Sequence, residues 1–168
     1  MLVLFSVLRF LHIIAGIFWA GGAILMNLII GPAIGATGDA GKQFAGHLMG
    51  KTAFSKFMLT SGVITVAAGT ILYGLDSNWF SSGWMMSSTG VGFGIGAVAG
   101  IIALVFGFLI GNTNGKLALL GMKIQGKPTN EQLATLGALR KRQVLVTNGN
   151  TIFILISIAL MASARLFG

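Results

Sequence analysis

Apolar residues gather in four long runs along this chain, and polar residues collect in the three connections between them. Each run is about twenty residues long. That is what a helix rising ~1.5 Å per residue needs to cross a hydrocarbon core of ~30 Å. The pattern predicts spans over about 4–31, 55–75, 91–111 and 146–166. In lipid every backbone amide must be satisfied within the protein, so spans of this kind are helices. The expected architecture is an all-α integral membrane four-helix bundle, up-down-up-down, in a single domain over 1–168. The first run lacks a basic leader region and a small-x-small cleavage site, and reads as a retained span.

The connections carry their own patterns. Phe44, Leu48 and Phe54 lie among lysines in the first, which predicts an amphipathic segment over about 40–54. Gly31-Pro32 is expected to open that connection. In the third, Thr129 follows Pro128 and precedes Gln132 by three residues, a capping-box signature. Leu133, Leu136 and Leu139 continue it with helical spacing up to Arg140-Lys141-Arg142, predicting a second amphipathic segment over about 129–143. Asn148, Gly149 and Asn150 then stand where they would bend or anchor the fourth span. Trp79, Phe80 and Trp84 in the second connection are placed like an interfacial aromatic belt.

Composition agrees with the pattern. Hydrophobic residues make up 55% of the chain and charged residues 8%, with a mean hydropathy of +0.90. A soluble domain carries roughly 25% charged residues, so lipid must cover most of this surface. The formal charge of +8 is distributed by topology: Lys42, Lys51, Lys56, Lys116, Lys123, Lys127, Arg140, Lys141 and Arg142 all lie in or beside connections one and three. The positive-inside rule puts those connections in the cytoplasm and both termini outside. Attraction to anionic head groups accounts for the charge, and no basic-aromatic interleaving points to nucleic acid.

The chemistry on offer is sparse. There are no cysteines, which removes disulfides, thiolate metal sites, iron–sulfur clusters and covalently attached haem. No acid lies within a span, which disfavours ion-coupled transport. No Ser/His/Asp set or H-E-x-x-H motif suggests hydrolysis, so the reading leans away from an enzyme.

Two features remain. In the third span Gly92, Gly96, Gly100, Ala103, Gly107 and Gly111 recur every three or four residues, giving a smooth face for close helix packing or, alternatively, a slot for a planar cofactor. In the first span His12 is the one histidine at membrane depth, where an imidazole is costly without a partner, ligand or water. On a helical wheel of 100° per residue, Gly16, Trp19, Ala23 and Met26 fall within about 40° of His12, and Arg9 and Asn27 at about 60°. A lipid-facing stripe would not gather these groups, so it is expected to face inward. His12 is then a candidate axial ligand to haem b, with Gly16, Trp19 and the glycine face as walls. It is equally a candidate copper ligand with Met26 or Met161 as soft partners. A structural histidine bonded to a carbonyl or hydroxyl of a neighbouring helix is the remaining alternative. His47, on the basic side, reads as a solvated interface residue.

The segment LRFLHIIAGIFWAGGAILMNLIIGPAI resembles the small bacterial four-helix membrane proteins of the copper-resistance protein D-like group, through Leu11, His12, Trp19, Gly21, Gly22 and Pro32. More distantly it is similar to the four-helix protoporphyrinogen oxidase of haem biosynthesis. The resemblance implies a membrane bundle whose first-span histidine binds a metal or haem. The oxidase-like proteins carry a basic residue beside the proline and a lysine in span three. This chain has Ala33 and no lysine between Lys56 and Lys116, so oxidase chemistry is not implied. A different class of function, a non-catalytic accessory or scaffold subunit, would use the glycine face to dock in a larger membrane complex or a homo-oligomer.

Overall fold

A computed structural model describes residues 2–124 and 126–166. Every regular element among them is helical. Helix α1 (Leu2–Leu25) passes through a π segment (Met26–Ile30) into α2 (Gly31–Ala36). The short α3 (Gly38–Lys51) leads to α4 (Phe54–Asp76), a tight turn contains α5 (Ser82–Met85), and α6 (Ser88–Lys123) and α7 (Asn130–Ser163) complete the bundle. Four helical stretches, Leu2–Ala36, Phe54–Asp76, Ser88–Lys123 and Asn130–Leu166, are long and apolar enough to cross a membrane. The chain is an all-α four-helix bundle and, by composition, a multi-pass membrane protein.

Helix α6 packs along α7 and α1 along α4, while a contact of α4 with α6 joins the two hairpins and α1 meets α7 only sparingly. The buried positions are mostly small: Ala15, Ser61, Gly62, Thr65, Ala68, Gly96, Ala99, Gly100 and Ala103. Small residues let backbones approach where apolar helices gain nothing by leaving lipid. Large apolar side chains such as Leu4, Phe10, Ile17, Ile95, Val98 and Leu155 point outward instead. The core proper centres on Trp19, Ala103 and Ile154.

Three expectations from the sequence are corrected. Gly31-Pro32 does not end the first span. Proline has no N–H, and its ring crowds the carbonyl four residues back. The helix absorbs this by widening, with the Gly31 N–H donating to the Met26 carbonyl, five residues back, and continues to Ala36. Second, the amphipathic segment over 129–143 and the fourth span are one continuous helix, α7, with no break at Asn148–Asn150. At ~1.5 Å per residue, α6 and α7 each run about 50 Å, well past a core of ~30 Å at the end that carries Lys116, Lys123 and Arg140–Arg142. Third, Trp84 is not a free belt residue: it packs edge-on against Tyr73 with ring centroids 5.3 Å apart and stacks on Phe93, whereas Trp79 and Phe80 remain exposed.

The capping box forms as read: the Gln132 amide donates to Thr129 Oγ1, and the Thr129 amide to Gln132 Oε1. The turn between α4 and α5 is strained, since Asn78, Trp79 and Phe80 take consecutive positive φ values of 47°, 58° and 72°. Buried Ser77 holds it by accepting the Phe80 amide.

Candidate functional site

His12 lies at the seam of α1 and α4, with its Nδ1 2.8 Å from the Thr65 carbonyl oxygen. A carbonyl has no proton to give, so Nδ1 is the donor and the basic lone pair resides on Nε2. Two features of α4 admit the ring. A Cβ at Gly69 would lie 2.7 Å from His12 Cε1 and 2.9 Å from Nδ1, so only glycine leaves the space. Residue 69 also stands one turn beyond Thr65 on the same face, and its missing side chain uncovers the Thr65 carbonyl. The Thr65 hydroxyl is spent on the Ser61 carbonyl. Gly16, one turn below His12, continues the seam against Thr65, where its Cβ would sit 3.5 Å from Cγ2.

Nε2 of His12 has no hydrogen-bond partner among the described residues. No polar side-chain atom among them is both enclosed and unpartnered. The imidazole is half-buried, and Nε2 is therefore the nitrogen that something outside the seam can reach. An Nδ1–H held by a carbonyl, with Nε2 left basic, is the arrangement that orients a metal-ligating histidine.

The rest of the predicted stripe does not converge on that nitrogen. Trp19, 7% exposed, fills the space left by Gly62 together with Leu104. Met26 begins the π segment, about 20 Å of helix rise from His12. The glycine face of α6 is occupied from within the chain: a Cβ at Gly92 would meet Ala164 at 3.0 Å, one at Gly96 would meet Met161 at 2.9 Å, and one at Gly100 would meet Ser157 at 3.3 Å. Ser157 also donates to the Gly96 carbonyl at 2.8 Å. Gly107 only just touches Asn150, and Gly111 faces open space. A haem slot walled by Trp19 and this face is thus absent from these contacts, and Met26 stands too far away to share an ion with His12. A haem iron, which needs one protein ligand, would have to reach His12 from outside the seam, on the open side of the half-buried ring. His12 fits copper poorly, because one imidazole is a thin ligand set. No group of three or more His, Asp or Glu side chains comes together among the described residues. His47 is exposed on α3.

Sequence reasoning missed a set of amides between helices. Asn27 Nδ2, on α1's π segment, donates to Asn148 Oδ1 at 3.2 Å and Thr151 Oγ1 at 2.9 Å on α7. Asn150, 3% exposed, donates to the Ala103 carbonyl at 2.7 Å. Gly149 receives the Phe106 ring, with Cε1 2.7 Å from where a Cβ would be. The signal was present in the run Asn148-Gly149-Asn150, whose three residues serve interhelical contact rather than a bend. Comparison with protein-family models, with curated proteins and with solved structures finds nothing that matches this chain.

Proposed function

We propose that this chain is a bacterial cytoplasmic-membrane protein of the copper-resistance-D-like group that binds haem, or less favourably copper, through His12 Nε2. The observation that carries this reading is the fixed tautomer: Nδ1 is committed to the Thr65 carbonyl, and the remaining nitrogen is basic, reachable and unpartnered. A reachable imidazole nitrogen at membrane depth without a partner is costly, and a ligand relieves that cost. Haem is favoured over copper because His12 alone would be enough to hold it, whereas Met26 is too distant to help bind copper. When bound, haem iron supplies one-electron or small-gas chemistry. The chain's own part is to orient the imidazole and keep its tautomer. The charge bias supports termini outside and basic connections in the cytoplasm. For the scaffold reading, Gly92, Gly96 and Gly100 are taken up by contacts within the chain, which leaves Gly107 and Gly111 as the part of the glycine face open to a partner.

The test is an absorption spectrum with metal analysis of protein purified from haem-replete membranes. The parent is expected to show a Soret band that His12→Ala loses while keeping its helical circular dichroism. A colourless, metal-free parent, or a His12→Ala variant with the parent's spectrum, contradicts the proposal.

A further inference from the structure

The bundle is not packed through its basic half. A cavity of about 950 Å³ opens between the four long helices there, running from Trp19 and Leu104 toward Lys56 and Asn114. That volume suits a small organic ligand. It lies beyond Trp19 along α1, away from His12. Met26, Met49, Met58 and Phe108 contribute much of its wall, and unbranched thioethers adapt readily to a guest.

An entirely apolar hole would accept any acyl chain. The polar atoms at the closed end ask for more. Asn150 spends its Nδ2 on the Ala103 carbonyl, while its Oδ1 accepts no hydrogen bond from the described residues. The Trp19 indole, packed against Leu104, has no acceptor for its N–H among the described residues. Both residues are more than nine-tenths buried and both line the cavity. No enclosed polar side-chain atom among the described residues lacks a partner, so neither atom is sealed off. Asn27, with Nδ2 committed to α7, leaves a further oxygen at the same wall. A hydroxyl serves either atom, accepting from an indole N–H or donating to an amide oxygen. The chain's three acids, Asp39, Asp76 and Glu131, all lie outside the lining. With Lys56 at the rim, a cation has nothing to balance it. The flat indole and phenyl walls suit a ring.

We propose that this cavity binds a neutral, lipid-soluble ring compound bearing a hydroxyl, of the phenol or hydroquinone class, with that hydroxyl donating to Asn150 Oδ1. The site is independent of His12, so failure of either proposal leaves the other standing.

The test uses the full chain in detergent micelles, with Trp79→Phe and Trp84→Phe so that Trp19 is the sole indole. The probes are decylhydroquinone, its dimethyl ether and decanoate. The hydroquinone is expected to change Trp19 emission saturably. The ether keeps the shape but has no proton to donate, and is expected to bind roughly tenfold more weakly, as is decanoate. Gly111→Leu, placed where a side chain meets open space, is expected to weaken hydroquinone binding by a similar factor without lowering the melting temperature. Equal binding of hydroquinone and ether, equally tight decanoate, no saturable change with any probe, or an unaffected Gly111→Leu variant each overturns the proposal. A cavity filled by bulk lipid or water gives the first or third of these results.

Discussion

His12 and Gly69 are complementary: the imidazole occupies the volume that a Cβ on residue 69 would need, coming within 2.7 Å of it at Cε1. The same absence bares the Thr65 carbonyl that holds Nδ1 at 2.8 Å. One glycine thus sets both the position and the tautomer of the ring.

Gly69→Ala is expected to force the ring off Thr65 or to spread α1 from α4. Overpacking of this kind costs about 1–3 kcal/mol, read as a lower melting temperature in detergent. In a His12→Ala background the same alanine has room, and its cost is expected to shrink, because contacting residues couple. Strictly additive effects of the two substitutions contradict the contact.

The glycines of α6 are predicted to divide by position. Gly96→Leu drives a side chain into Met161, where even a Cβ would come within 2.9 Å, and is expected to loosen the α6–α7 pair by about 1–3 kcal/mol. Gly115 has nothing within 4 Å. Gly115→Leu is expected to be neutral or to stabilise by up to ~1 kcal/mol through helix propensity. Paired thermal melts in one detergent check this, and equal destabilisation by the two substitutions contradicts it.

The four spans were legible because lipid contact demands continuous apolar sequence, and hydropathy records that demand directly. The Thr129–Gln132 cap was legible because its chemistry is local to four residues. What hydropathy hides is continuity. Helix α7 changes from amphipathic to apolar near Val144 without a break, and α1 passes Pro32 through a π segment that no composition change announces. Contacts between spans were the least legible. The partners of His12, Asn27 and Asn150 depend on how each helix is rotated about its axis. The wheel placed Met26 beside His12 in angle but could not weigh their ~20 Å axial separation against it. The glycine face was legible as a packing surface, but not as α7's own seat.

Thr129→Ala is expected to cost about 1 kcal/mol at the start of α7. The loss is local, because the capping box satisfies the amides of Thr129 and Gln132 alone. Faster amide exchange over residues 130–133, with no change across 146–163, is the expected result. Unchanged exchange in the first turn contradicts it.

On α3, Lys42 donates to Asp39 at 2.7 Å, and this hydrogen bond, aided by the ammonium charge, holds the carboxyl below its ordinary value of 3.8. A depressed carboxylate stabilises the fold above the unfolded-state value, and that contribution is lost as pH falls through the folded one. Both partners are exposed, so the contribution is small and salt-sensitive. The Asp39 carboxyl resonance is expected to titrate below 3.8 in the parent and to return toward that value in Lys42→Met. A parent midpoint at or above 3.8 contradicts the assignment.

The imidazole nitrogens of His12 give the most direct measurement of all. In ¹⁵N-histidine-labelled protein as isolated from membranes, Nδ1 is expected to carry the proton and Nε2 to be displaced from its free-imidazole position by a bound metal. A protonated Nε2, or an Nε2 at the free position in protein from haem-replete cells, contradicts the account.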